Sequence, residues 1–144
     1  MSESSSERFF HWGVFVLRVG IGIIMMGHGI PKLMAGPELW EKLGMAMGNF
    51  GIHFFPAFWG FMCAVAEGVG GLLLLLGLFV RIASGFMTFN MCVAISMHLF
   101  KGDTFQVYSH PLSLMVVFLS LMIMGGGCCS AGAKISCLEK RWYQ

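Results

Sequence analysis

The chain has 144 residues, of which 57% are hydrophobic and 11% charged, against about 25% charged in an ordinary soluble domain. So few charges cannot screen that much apolar surface from water, so lipid is the expected solvent, and the length suits one domain, 1–144, and no second. A formal net charge of +2 without a basic stripe argues against a nucleic-acid partner.

The opening MSESSSER is a polar tail. Glu3 and Glu7 precede the first apolar run and no small-residue cleavage site follows it, which argues against a secretory signal peptide. Four apolar segments come next, at about 9–34, 54–80, 82–100 and 111–127. Each is close to the roughly 20 residues that a helix needs to cross about 30 Å of hydrocarbon. Their unbroken apolar character lacks barrel alternation, and a helix satisfies its own backbone in lipid. The expected fold is all-α: an integral membrane four-helix bundle with an interfacial amphipathic helix between helices one and two.

That interfacial helix follows from Leu39, Leu43, Met47 and Phe50 at helical spacing, with Glu38, Glu41, Lys42 and Asn49 largely on the other side. Trp40, His53 and Trp59 fit an interfacial belt. Arg81 marks a tight turn between helices two and three. Ser109 or His110 is expected to cap helix four, with Pro111 in its first turn. Arg8, Arg81, Lys134, Lys140 and Arg141 fall on one side of the membrane and Lys32, Lys42 and Lys101 on the other. The positive-inside bias therefore favours both termini in the cytoplasm.

An ionisable side chain in hydrocarbon costs roughly 2.5–3.5 kcal/mol on insertion scales, so each one needs a partner, a cavity or a route to the surface. Glu67 is too deep to snorkel. It shares a stripe with Gly60, Ala64 and Gly71, and Arg18 shares one with Gly22, Met25 and Gly29. Such small-residue stripes bring helices close together. A buried Arg18–Glu67 ion pair is expected, acting either as a proton relay or only to fix helix register. His28 and His98 are expected at similar depth, away from the termini, with Asn90 nearer the midplane and His110 at the opening of helix four. Gly27, Gly29, Pro31 and Lys32 flank His28 and are expected to loosen its helix. Two histidines raise the idea of a bis-histidine haem, but isolated histidines are more often packing residues or proton carriers. A proton-coupled or quinone head-group site fits better. The candidate ligand residues are His28, Lys32, Asn90, His98 and His110.

The five cysteines make no disulfide framework. Cys63 and Cys92 lie in apolar segments, where a thiol behaves as a small hydrophobe. Cys128, Cys129 and Cys137 in the tail are weak candidates for a soft metal, palmitate or thiol exchange. Their plain reading is small juxtamembrane residues without a special role. No Walker loop, HExxH or nucleophile elbow is present.

Taken together, R-V-G…M-G-H-G-I-P-K-L in helix one, A-E-G-V-G-G-L-L-L-L-L-G-L-F-V-R in helix two, A-I-S-M-H-L-F-K-G in helix three and Y-S-H-P before helix four resemble the DoxX family of small four-helix bacterial membrane proteins. The resemblance runs over about 15–127. The family's recurrent polar positions fall on Arg18, His28, Lys32, Glu67, Arg81 and His98, while the tail cysteines depart from its pattern. The resemblance implies a bacterial inner-membrane location. It also implies kinship with a membrane subunit of a thiosulfate:quinone oxidoreductase, with partners in complexes handling thiol and oxidative stress, and with proteins of quinone or catechol detoxification.

The leading expectation is thus a membrane subunit of an oxidoreductase system, quinone-interacting, working with a partner protein or as a homo-oligomer. A small proton- or solute-permeation module is the alternative of a different class. A structural or assembly subunit of a larger membrane complex is the third.

Overall fold

A computed structural model describes residues 5–128 and 130–134. The order is α1 (Ser5–Met34), α2 (Pro37–Gly44), a 3-10 helix (Met45–Phe50), α3 (Pro56–Leu76), α4 (Val80–Lys101), α5 (Phe105–Met124) and the short α6 (Ala131–Lys134). Four of these, α1, α3, α4 and α5, are long and apolar enough to cross a membrane. The all-α, multi-pass bundle expected from the sequence is what forms, and the large side chains on its outside (Phe9, Ile23, Phe86, Ile123) are exposed where lipid would cover them.

The ends of the helices differ from the sequence expectation for local reasons. Gly77 adopts a left-handed conformation (φ 74°) at the end of α3, and the Leu78 N–H donates to Leu73 O at 2.9 Å. This Schellman closure stops α3 at Leu76 rather than at 80. The turn is therefore Gly77–Leu78–Phe79, and Arg81 belongs to the first turn of α4. Helix α5 begins at Phe105, six residues earlier than expected, with Thr104 as its N-cap. Ser109 and His110 are thus inside the helix and do not cap it. Ser109 donates instead to Gln106 O at 2.9 Å. Pro31 does not loosen α1, which stays helical to Met34.

Close approach of α1 and α3 rests on glycine. A Cβ at Gly22 would sit 2.8 Å from Gly71 O, and one at Gly29 would meet Gly68 Cα at 2.5 Å. The two stripes named from the sequence, Arg18–Gly22–Met25–Gly29 and Gly60–Ala64–Glu67–Gly71, are all buried. Their facing sides are the clasp.

Packing is uneven along the bundle axis. The apolar core consists of Val14, Ile21 and Met25 of α1, Leu74 of α3, Val80, Ala83, Met87 and Met91 of α4, and Phe118 and Leu121 of α5. Given the up-and-down order, most of these lie in the half that contains the chain ends and the α3–α4 turn. The segment after α5 closes that end: Gly132 N–H donates to Gly77 O at 3.2 Å and Cys128 N–H to His11 Nδ1 at 3.4 Å. The opposite half is covered by α2 and the 3-10 helix. There Gly60 lies under the backbone of Trp40, and Met47 is buried. The amphipathic pattern of this segment holds at Leu39 and Leu43, half-buried, and at Glu38, Glu41 and Lys42, exposed. It fails at Phe50, which is exposed, because the change from α to 3-10 alters the angular period.

Candidate functional site

A cavity of about 680 Å³ runs between α3 and α4, from Leu73, Ile82 and Ala83 beside the core to His98 under the α2–3-10 cover. Its walls are mostly apolar, with Met47, Met62, Val93, Ala94 and Met97 among them. Phe58, Val69, Phe86 and Phe89 also line it while remaining exposed on the outside of the bundle. The mouth therefore opens sideways between α3 and α4, toward where lipid would lie.

Two polar groups interrupt these walls. The first is built on Glu67 in the middle of α3, whose side chain is 5% exposed. Lys32, from the last turn of α1, donates to both carboxylate oxygens at 2.8 and 2.6 Å. Asn90 Nδ2 of α4 donates to Oε1 at 3.0 Å. Cys63, one turn before Glu67, brings its thiol to 4.0 Å. Three helices are tied at one carboxylate, and the bidentate ammonium cancels its charge. Asn90 also lines the cavity, beside Lys32 and Glu67.

The second polar group stands at the far end of α4. His98 lines the cavity, and its Nδ1 lies 2.8 Å from Asp103 Oδ2. Gly102 (φ 75°) ends α4, and Asp103 N–H donates to His98 O at 3.0 Å. His98 and Asp103 are thus the 6→1 pair of a Schellman turn, with an acid–imidazole contact in the place that usually holds an apolar one. Eight residues separate Asn90 from His98, or about 12 Å along the helix axis.

The expected Arg18–Glu67 pair does not form. Gly22 faces Gly71, so Arg18, one turn earlier in α1, faces the end of α3 in the antiparallel register. Its Nη1 donates to Leu74 O at 2.6 Å and Leu75 O at 2.9 Å. A cation on the last carbonyls of a helix C-terminus is favourable for both. Lys32, further along α1, is the residue that comes opposite Glu67. His28 and His98 are not brought together either: His28 is exposed on α1 and is not part of the cavity lining. His110 is exposed on α5, also outside the lining. Of the five ligand candidates, Lys32, Asn90 and His98 share the cavity. Cys63 and Asp103 join the site without having been singled out. Cys63 stands four residues before Glu67, one turn away, and Asp103 follows a glycine helix end five residues after His98; those two spacings were the available signals. Cys128 is exposed, while Cys129 and Cys137 lie outside the described residues. Among the described residues no group of three or more His, Cys, Asp or Glu is placed to hold a metal ion.

The DoxX family model matches residues 13–100, from the first third of α1 to the last turn of α4. The chain belongs to the DoxX family. That match contains Lys32, Cys63, Glu67, Asn90 and His98, and stops just before Gly102 and Asp103. No curated protein and no solved structure matches the chain.

Proposed function

We propose that this DoxX protein is the membrane-embedded, ligand-binding subunit of an oxidoreductase system, and that its cavity takes a quinone head group from the bilayer. The observation that carries the reading is the spacing of two polar groups across an apolar cavity with a lateral mouth. A para-quinone ring has about 5 Å between its oxygens, and a hydrogen bond at each end adds about 2.8 Å. The resulting span of about 11 Å compares with the roughly 12 Å axial separation of Asn90 and His98. Lys32 or Asn90 would donate to one ligand oxygen, and His98 would accept from the hydroxyl that the other oxygen carries in the quinol form. Apolar walls and a mouth facing lipid suit a ligand that partitions into hydrocarbon.

When bound, a quinone supplies two-electron chemistry; the chain's own groups hold it, exclude water and handle protons. No flavin or nucleotide motif occurs in the sequence, so electrons come from a partner protein in this reading. We place the protein in the bacterial inner membrane with both termini cytoplasmic, on the distribution of Lys and Arg. In that orientation α2 and the 3-10 helix lie at the opposite interface, where Phe50, Phe54 and Phe55 are exposed.

The test is binding of a short-chain ubiquinone to the protein in nanodiscs, read by quenching of Trp59, which lines the cavity, with Trp59→Phe as the control. Ala94→Phe, which fills the space between the polar groups, should abolish binding. Asn90→Leu should weaken it about tenfold, the loss of one buried hydrogen bond, and His98→Leu should weaken binding of the corresponding ubiquinol by the same factor. His28→Ala and His110→Ala should leave it unchanged. Undiminished binding in Ala94→Phe would refute the site.

A further inference from the structure

The His98–Asp103 contact is more than a ligand-binding side chain requires. At neutral pH an aspartate carboxylate only accepts hydrogen bonds, so the 2.8 Å contact puts a proton on His98 Nδ1. Neutral imidazole carries one ring proton, and Nε2 is then left as an acceptor. His98 lines the cavity, whereas Asp103 lies beyond the end of α4 and its side chain is the more exposed of the two, at 35% against 23%. One end of the pair meets the ligand space and the other meets the aqueous side.

We propose that His98 and Asp103 form a proton port for the cavity. Asp103 is a positioning residue that holds His98 as the Nδ1–H tautomer, and His98 Nε2 accepts a proton from an acidic hydroxyl of a phenol-class ligand. This rests on the cavity being a ligand site. In the step the ligand O–H bond breaks and an Nε2–H bond forms, with the electron pair staying on the ligand oxygen. The imidazolium so formed is stabilised by the Asp103 carboxylate, and its Nδ1 proton passes through that carboxylate to water. No electron moves, so no oxidant is needed. The other titratable groups around the cavity leave this role to His98. Glu67 is held by Lys32 and Asn90, and Cys63 lies against Glu67. Helix α2 keeps Glu38, Glu41 and Lys42 exposed, the 3-10 helix brings no titratable group, and the loop after it brings His53, exposed and set against Gly48. Lys101 on α4 is exposed, and α5 brings Tyr108 and the exposed His110 to this end of the bundle.

Two measurements on the full chain in nanodiscs test the port. The first is the ¹⁵N spectrum of the His98 ring at alkaline pH, with no ligand present. Wild type should show the Nδ1–H tautomer. Asp103→Ala should convert it largely to Nε2–H, and Asp103→Asn, whose amide oxygen still accepts from Nδ1, should restore it. The second uses 4-nitrophenol, whose absorbance reports ionisation of its hydroxyl. Bound to wild type it should ionise at a pH lower by about one unit, a tenfold effect, than when bound to Asp103→Ala or His98→Gln. An Nε2–H tautomer in wild type, or identical tautomer and titration in Asp103→Ala, overturns the proposal while leaving the cavity as a ligand site. Failure of 4-nitrophenol to bind wild type overturns both, and reduces the pair to a helix-end contact.

Discussion

Replacing Lys32 by Met removes the cation from a carboxylate that has nowhere else to turn. Glu67 would keep only the hydrogen bond from Asn90 and the long contact of the Cys63 thiol, in a site where its side chain is 5% exposed. Removing one partner of a buried ion pair costs about 3–5 kcal/mol. Lys32 is itself 26% exposed, so water already weakens the contact and the lower end of that range, about 3 kcal/mol, is expected. The double variant Lys32→Met/Glu67→Gln has no charge to strand, and the new side-chain amide oxygen can still accept from Asn90. It should return to within about 1 kcal/mol of wild type, giving a coupling of at least about 2 kcal/mol in the cycle. Unfolding by SDS titration in mixed micelles, followed by helical circular dichroism, measures all four corners. If the single variants simply add in the double, or if Lys32→Met costs under about 1 kcal/mol, the carboxylate is not held as described.

Three further outcomes follow from the packing. Gly29→Val places atoms within 2.5 Å of the Gly68 backbone, which no rotamer relieves, so α1 and α3 must separate; a loss of about 3 kcal/mol, the upper end for overpacking, is expected in the same unfolding assay. Trp40→Phe deletes the 2.8 Å bond from the indole to Lys32 O and should cost about 1 kcal/mol, with faster amide exchange across α2. Gly77→Ala forces a left-handed alanine, at about 1–2 kcal/mol, and sets its Cβ 2.5 Å from Arg18 Nη1 and 2.6 Å from Ser130 Cβ. Besides a lower stability, it should speed exchange of the Gly132 amide, which bonds to Gly77 O.

What the sequence made legible is whatever depends on period and length. Four spans, the two small-residue stripes and the amphipathic connection are repeats along one chain, so they appear in a linear pattern. Partner choice is not such a pattern. Arg18 and Glu67 both look central when depth is counted from the middle of an apolar run, but α3 ends at Leu76 and α1 starts at Ser5. Those shifts slide the antiparallel register until Lys32 replaces Arg18 opposite the carboxylate. His28 and His98 fail for a different reason: equal depth does not make two side chains face each other, and rotation about α1 leaves His28 outside. Asp103 was hidden because its link to His98 depends on the left-handed turn at Gly102, a three-dimensional consequence of one glycine.

The two polar groups of the cavity differ in what they hold up, and that difference separates stability from binding. Glu67 ties α1, α3 and α4 through Lys32 and Asn90, so it sets register as well as forming a wall of the ligand space. A ligand carbonyl that competes for Lys32 must do so without stranding the carboxylate, which favours Asn90 and the spare ammonium hydrogen as donors over any rearrangement of the pair. His98 and Asp103 are joined to each other across the end of α4 and tie no second helix. Substitutions at Lys32 or Glu67 should therefore lower stability and ligand affinity together. Those at His98 or Asp103 should change ligand affinity or ionisation while the unfolding transition stays within about 0.5 kcal/mol of wild type. A site in which both groups moved stability equally would be structural throughout, with the cavity an incidental gap in the bundle.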